Sequence, residues 1–155
     1  MDRRSLLAVS TLGLVLPAWA HHGWSGFDQN RPLYLEGRAR KVLWQNPHVE
    51  IELELPADPK LPADLARRAV PAQSASVDGA GLLARATLPT RREKLWEIEF
   101  APLTRMEAWK VPELKVGDTV GVLGYAAAEE KGAPVLRAEY LFHAGKAYGL
   151  RSSPA

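Results

Sequence analysis

The sequence predicts an all-β domain, a small five-stranded OB-like β-barrel with one short helix between strands three and four. Three observations point there. Five segments, Leu33 to Trp44, Val49 to Leu55, Lys94 to Phe100, Thr119 to Tyr125 and Val135 to His143, have strand character. A proline-led helical segment, Pro102 to Trp109, falls between the third and fourth of them. Leu114-Lys115-Val116-Gly117-Asp118 reads as a turn before strand four, and Gly37 bends or bulges strand one, an order that suits an OB-type barrel.

The chain begins with an export signal. Arg3 and Arg4 supply a positive start, and Leu6 to Leu16 is an apolar run interrupted only by Ser10, Thr11 and Gly13. Pro17 then breaks the helix, and Ala18-Trp19-Ala20 puts small residues where a signal peptidase reads them. A run this short does not span a bilayer. Residues 1–20 are therefore read as a cleaved signal peptide, the mature protein as starting at His21, and the location as periplasmic or secreted. Arg3-Arg4-Ser5-Leu6-Leu7 has some likeness to a twin-arginine signal, but the general secretory route is favoured. No later segment is long and apolar enough for a membrane helix.

The mature chain, residues 21–155, is the right size for a single domain, which is placed over residues 21–151. His21 to Pro32 is polar and forms an arm, and Asn46-Pro47 marks a turn. After it, Val49, Ile51, Leu53 and Leu55 alternate with Glu50, Glu52 and Glu54, so one face is core and the other acidic. Residues 56–92 are rich in proline, alanine, serine and glycine and read as an extended surface insertion without chemistry, with a short helix over Asp64 to Val70. In the next strand Trp96, Ile98 and Phe100 share a face opposite Leu95, Glu97 and Glu99. Arg105-Met106 reads as a solvated helix segment, Glu129 to Pro134 as a hairpin connection, and Gly145 to Arg151 as a short extended tail.

Composition narrows the function. Losing residues 1–20 removes Asp2, Arg3 and Arg4 and leaves acidic and basic residues nearly balanced, so there is no concentrated basic face for nucleic acid. The chain has no cysteine, which excludes a disulfide framework and removes thiolate from the metal ligands.

Nitrogen ligands remain, and they cluster in an unusual place. His21 and His22 open the mature chain, and His48 follows the Asn46-Pro47 turn on the parity of the glutamates. Cleavage after Ala20 frees the His21 α-amine, with a pKa near 8, and amine and imidazole of one residue can chelate one ion. A second imidazole, best supplied by His48, completes a three-nitrogen histidine brace, with His22 as supporting or alternative donor. Copper(II) is the divalent ion that binds such donors most strongly in near-planar geometry, and zinc, preferring a tetrahedral set, is its competitor. A nearby glutamate is positioned to orient the His48 ring. His143, ending the last strand, has no assigned partner. There is no nucleophile elbow, zinc-protease helix, phosphate loop or dinucleotide motif, so a non-catalytic role is favoured and an oxidase comes third.

These residues also carry a resemblance. His21-His22-Gly23-Trp24-Ser25 at the mature start, Phe27-Asp28, Trp44-Gln45-Asn46-Pro47-His48, Leu114 to Val120 and Gly124-Tyr125 together resemble a family of small exported bacterial proteins known only as a domain of unknown function. The resemblance covers His21 to about Leu55 and Lys94 to about Gly145 and implies a periplasmic OB-like barrel with no assigned activity. The 56–92 insertion departs from it. Two functions follow as expectations. The first is a copper-binding protein for carriage, sequestration or delivery, using His21, His22 and His48. The second is a metal-free binding module for a peptide, glycan or other envelope partner.

Overall fold

The structure, a computed structural model, describes residues 23–155. The expected signal peptide, His21 and His22 lie outside the described residues. Six strands form one sheet that closes on itself: β1 (Leu33–Leu43), β2 (Glu50–Glu54), β3 (Leu95–Glu99), β4 (Thr119–Tyr125), β5 (Val135–His143) and β6 (Lys146–Gly149). The order is β3-β2-β1-β4-β5-β6, and a parallel β3–β5 pairing closes the first five strands into a barrel. Strand β1 is long because it serves two neighbours. Leu33 to Arg38 pair with β4, and Arg38 to Leu43 pair with β2. The register slips between Ala39 and Lys41, two residues beyond the glycine expected to bulge. Gly37 itself lies against the Glu54 backbone, where any side chain would collide. Closure without free barrel edges is what the short strand segments required.

The predicted helix is present as α2 (Leu103–Ala108), between β3 and β4, with Pro102 at its N-cap. Met106 is not solvated as expected. It is buried among Trp96, Ile98, Phe100, Val120, Val122 and the other residues that fill the barrel. A six-residue helix with one inward position shows little periodicity, so its buried face was hard to read from the sequence. The expected tail after Gly145 is ordered as β6, a hairpin partner of β5.

The 56–92 insertion is the main departure from expectation. Its helix is α1 (Gly79–Arg85), capped by the Asp78 side chain accepting from the Gly81 N–H at 2.9 Å. The stretch expected to be helical supplies only a single tight turn, Leu65–Arg67. The insertion is no solvated loop. Leu65, Leu82, Leu83 and Ala86 form a second buried cluster with Phe27, Tyr34, Leu123, Tyr125 and Tyr140 on the outside of the barrel wall. The insertion is tied at several points. Leu55 N–H donates to the Lys94 carbonyl at its base, Tyr34 N–H to Thr87, and Ser74 N–H to Ser153 of the C-terminal segment. No helix of the described residues is long and apolar enough to cross a membrane.

Candidate functional site

His48 sits in the β1–β2 connection, and its neighbours are held on both sides. The Asn46 side-chain oxygen accepts from the Leu103 N–H at 3.1 Å, docking the connection on the start of α2. After His48, Val49 exchanges backbone hydrogen bonds with Ala101 (3.0 Å) and Phe100 (2.8 Å). The Asn46–Pro47 peptide is cis. The imidazole is mostly covered, with 9% of the side chain exposed, and its Nδ1 lies 3.1 Å from Glu50 Oε1. This is the contact expected from strand parity.

Glu50 does not stand alone. It pairs across the β2–β3 ladder with Glu99, and directly opposed like charges repel unless each is compensated. Glu99 is buried, and Arg137, its parallel neighbour on β5, approaches it at 3.4 Å. Burial pushes the Arg137 guanidinium below its usual range against the pull of Glu99, and the nearby Arg105 and Arg151 push the same way. Glu50 Oε1 faces His48 Nδ1.

The strip continues from Arg137 to the N-terminal arm. The Arg137 guanidinium lies 5.0 Å from the Trp24 ring centre, and that of Arg151 lies 3.8 Å from it. Tyr125 meets the same ring edge-on at 6.3 Å. Arg151 is held by Glu139, a completely buried carboxylate, through contacts of 2.5 Å from Nη2 and 3.0 Å from Nε. Glu139 occupies the extra position where the β4–β5 register slips, between the partners of Leu123 and Gly124. A bulge re-aims a side chain in this way. Gln29 donates to the Trp24 carbonyl at 3.3 Å and accepts from Arg151 at 2.8 Å, completing the cage.

His143 is bound up elsewhere. Its Nδ1 is 3.0 Å from the Thr119 carbonyl and its Nε2 3.8 Å from Asp118. It lines a cavity of about 590 Å³ with Glu36, Arg68 and Lys146. There Tyr34 donates to Glu36 at 2.6 Å and accepts from Arg68 at 3.0 Å. Burial and the Glu36 carboxylate raise the Tyr34 pKa, so its hydroxyl stays neutral. Among the described residues, no group of three or more His, Asp and Glu is arranged to hold a metal ion.

Sequence reading anticipated the contact of His48 with a glutamate but missed the Trp24 cage. Glu139 was the available signal, being a lone carboxylate inside an otherwise largely apolar strand. The other tryptophans among the described residues are structural. Trp96 is fully buried in the barrel, Trp44 and Trp109 pack on its core, and the Trp109 indole donates to Ser152.

Fold and side-chain geometry together define a small OB-like barrel with a His48–Glu50 contact on one side and an N-terminal arm anchored by Arg137 and Arg151. Residues 9–61, which include His21, His22 and His48, match the model of a family of unknown function, DUF6152. No curated protein and no solved structure matches the chain.

Proposed function

We propose that the protein is an exported metal-binding protein, with copper as the ion, acting in carriage, sequestration or delivery in the periplasm. The amine and ring of His21 and the ring of His48 are the ligands, and His22 is a supporting or alternative nitrogen. The observation that carries this reading is the covered His48 ring with Nδ1 at 3.1 Å from Glu50. A carboxylate beside one ring nitrogen is a common companion of a metal-ligating histidine. With no group of three ligands among the described residues, the site needs donors from the mature N-terminus. The signal peptide, when present, withholds the amine.

Copper(II) titration of the mature protein followed by EPR tests this. The expected result is a single site with a three-nitrogen signature, lost when one alanine precedes His21 and weakened by His48→Ala. Unchanged affinity and spectrum after the alanine extension would falsify the brace.

A groove of about 280 Å³ on the outer wall favours a second reading, a metal-free module for a peptide partner. Its lining includes Lys41, Leu43, Glu52, Leu95 and Pro134, and Leu95 is 45% exposed. That reading predicts binding that Leu95→Asp abolishes and His21→Ala leaves intact, measured by calorimetry with envelope-derived peptides.

A further inference from the structure

We infer that the groove on the outer wall of β2 and β3 takes an extended segment of a partner protein, with a lysine or arginine two residues from an apolar side chain. The inference rests on the second reading above and adds the chemistry of the partner. The groove exists because the β3–β5 ladder is short, pairing only Glu97 to Glu99 with Val135 to Arg137. Glu97 N–H donates to the Pro134 carbonyl at 2.9 Å. Pro134 has no N–H of its own and does not carry the pairing back to Leu95. Leu95 is left beside an opening between β3 and Ala133-Pro134, with 45% of its surface exposed.

The lining combines two chemistries. Leu43, Leu95, Pro134 and Val135 are its apolar part, and Glu50, Glu52 and Glu97 its carboxylates, against a single cation, Lys41. Glu52 opposes Glu97 across the β2–β3 ladder, and Lys41 opposes Glu52 from β1. The neighbouring charges are engaged elsewhere: Glu50 Oε1 faces His48 Nδ1, Glu99 meets Arg137, and Glu54 meets Arg40. Glu52 is exposed, and among the described residues it forms no ion pair with Lys41 or any other cation. Like charges directly opposite one another are unfavourable, so a cation placed over Glu52 is drawn by both carboxylates.

Register and size select the partner. Leu95 pairs with Glu54 and Glu97 with Glu52, so Leu95 and Glu52 are diagonal neighbours on one face, about 7–8 Å apart. Alternate residues of an extended peptide share a face at about 7 Å. A cation over Glu52 and an apolar group against Leu95 are therefore one peptide step of two residues. At about 280 Å³ the groove falls short of the roughly 300 Å³ at which pockets for drug-sized ligands begin, and suits a few side chains of a chain laid across it. Trp96, the aromatic residue of the lining, is fully buried and offers no ring face for stacking.

The test is an NMR titration of the protein with capped peptides: Gly-Lys-Ser-Leu-Ser-Gly, the same peptide with Glu for Lys, and Gly-Lys-Leu-Ser-Ser-Gly with the two groups adjacent. The first should bind saturably and shift the amides of Glu52, Leu95 and Glu97, and the other two should bind at least about fivefold more weakly. Glu52→Lys should weaken the first peptide about fivefold to tenfold and abolish its advantage over the Glu peptide, and added salt should weaken it in the parent protein. Leu95→Ser should weaken it by a similar factor with the charge preference kept. Both side chains are exposed, so thermal melts should match the parent. Equal binding of the three peptides overturns the partner chemistry and leaves the groove reading standing. No saturable binding, or shifts confined to other surfaces, overturns both. Self-association that Leu95→Ser abolishes would assign the groove to a second copy of the chain and overturn the inference.

Discussion

Strands β2 and β4 belong to the same barrel, yet they meet water differently. In β2, Ile51 and Leu53 are buried while Glu50, Glu52 and Glu54 line the outer face at the surface. In β4, every residue after Thr119 is buried: Val120 and Val122 point into the barrel, and Leu123 and Tyr125 point out into the second cluster. The difference is the insertion, which lays Leu65, Leu82, Leu83 and Ala86 over the outer wall of β1, β4 and β5. A strand buried on both faces reads as a near-continuous apolar run, and one buried on a single face alternates. The insertion leaves the wall around β2 and β3 uncovered, and there Glu52 and Leu95 stay exposed while Glu99 is buried by its own neighbours.

The sharpest way to break the comparison is to remove the cover. Replacing residues 57–91 by a short glycine-serine linker should expose Tyr34, Leu123 and Tyr140 and abolish a single cooperative unfolding transition. Strong binding of a hydrophobic dye with loss of near-ultraviolet circular dichroism is the expected readout. A variant that unfolds cooperatively at the parental midpoint would show that the barrel does not need this wall.

A smaller step tests the cover by one side chain. Leu83→Ala, at a position that is 2% exposed, should cost about 2–3 kcal/mol in urea denaturation, the lower part of the range for buried leucines because the outer cluster can relax toward solvent. A cost below about 0.5 kcal/mol would mean that the insertion rests on the barrel without being packed into it.

The insertion is also latched by charge. Glu130, buried in the β4–β5 connection, accepts from the Thr90 and Arg91 N–H groups, the Thr90 hydroxyl and Arg31. Burial raises its pKa, but these donors outweigh it and hold the carboxyl down at about 2. The folded-state pKa is below the unfolded value, so this stabilisation is fully present above about pH 5 and is lost as the pH falls toward 2. Glu130→Gln should lower stability at neutral pH by about 1–2 kcal/mol and flatten the acid limb of stability between pH 5 and 2. An acid limb identical to the parent's would assign that limb to other carboxylates.

The smallest effect belongs to the open wall. Arg40 meets Glu54 at 3.1 Å, but both side chains are well exposed. Arg40→Ala should change stability by less than about 0.5 kcal/mol, since solvent and salt screen such pairs. A larger loss, persisting in high salt, would indicate that the β2 face is less open than its exposure implies.

Much of the barrel was legible because its interior follows a local rule. Alternation places Ile51, Leu53, Trp96 and Ile98 inward from sequence spacing alone, and the Glu50–His48 contact follows from the same parity. The insertion was not legible, since adjacent Leu82 and Leu83 show no period until an aromatic wall exists for them to cover. Nor was the Trp24 cage, whose members come from the arm, the bulged strand and the C-terminal segment.

The sequence by itself determined the five barrel strands along the chain, the helix between β3 and β4, and the parity that sets His48 beside a glutamate. These depend on residues close together in the chain, where backbone geometry enforces period two. Only the tertiary structure decided that the insertion becomes a wall, that Glu139 is buried at a bulge, and that Trp24 is gripped by Arg137 and Arg151. Those outcomes depend on groups far apart in sequence whose desolvation is favourable only when all of them arrive together.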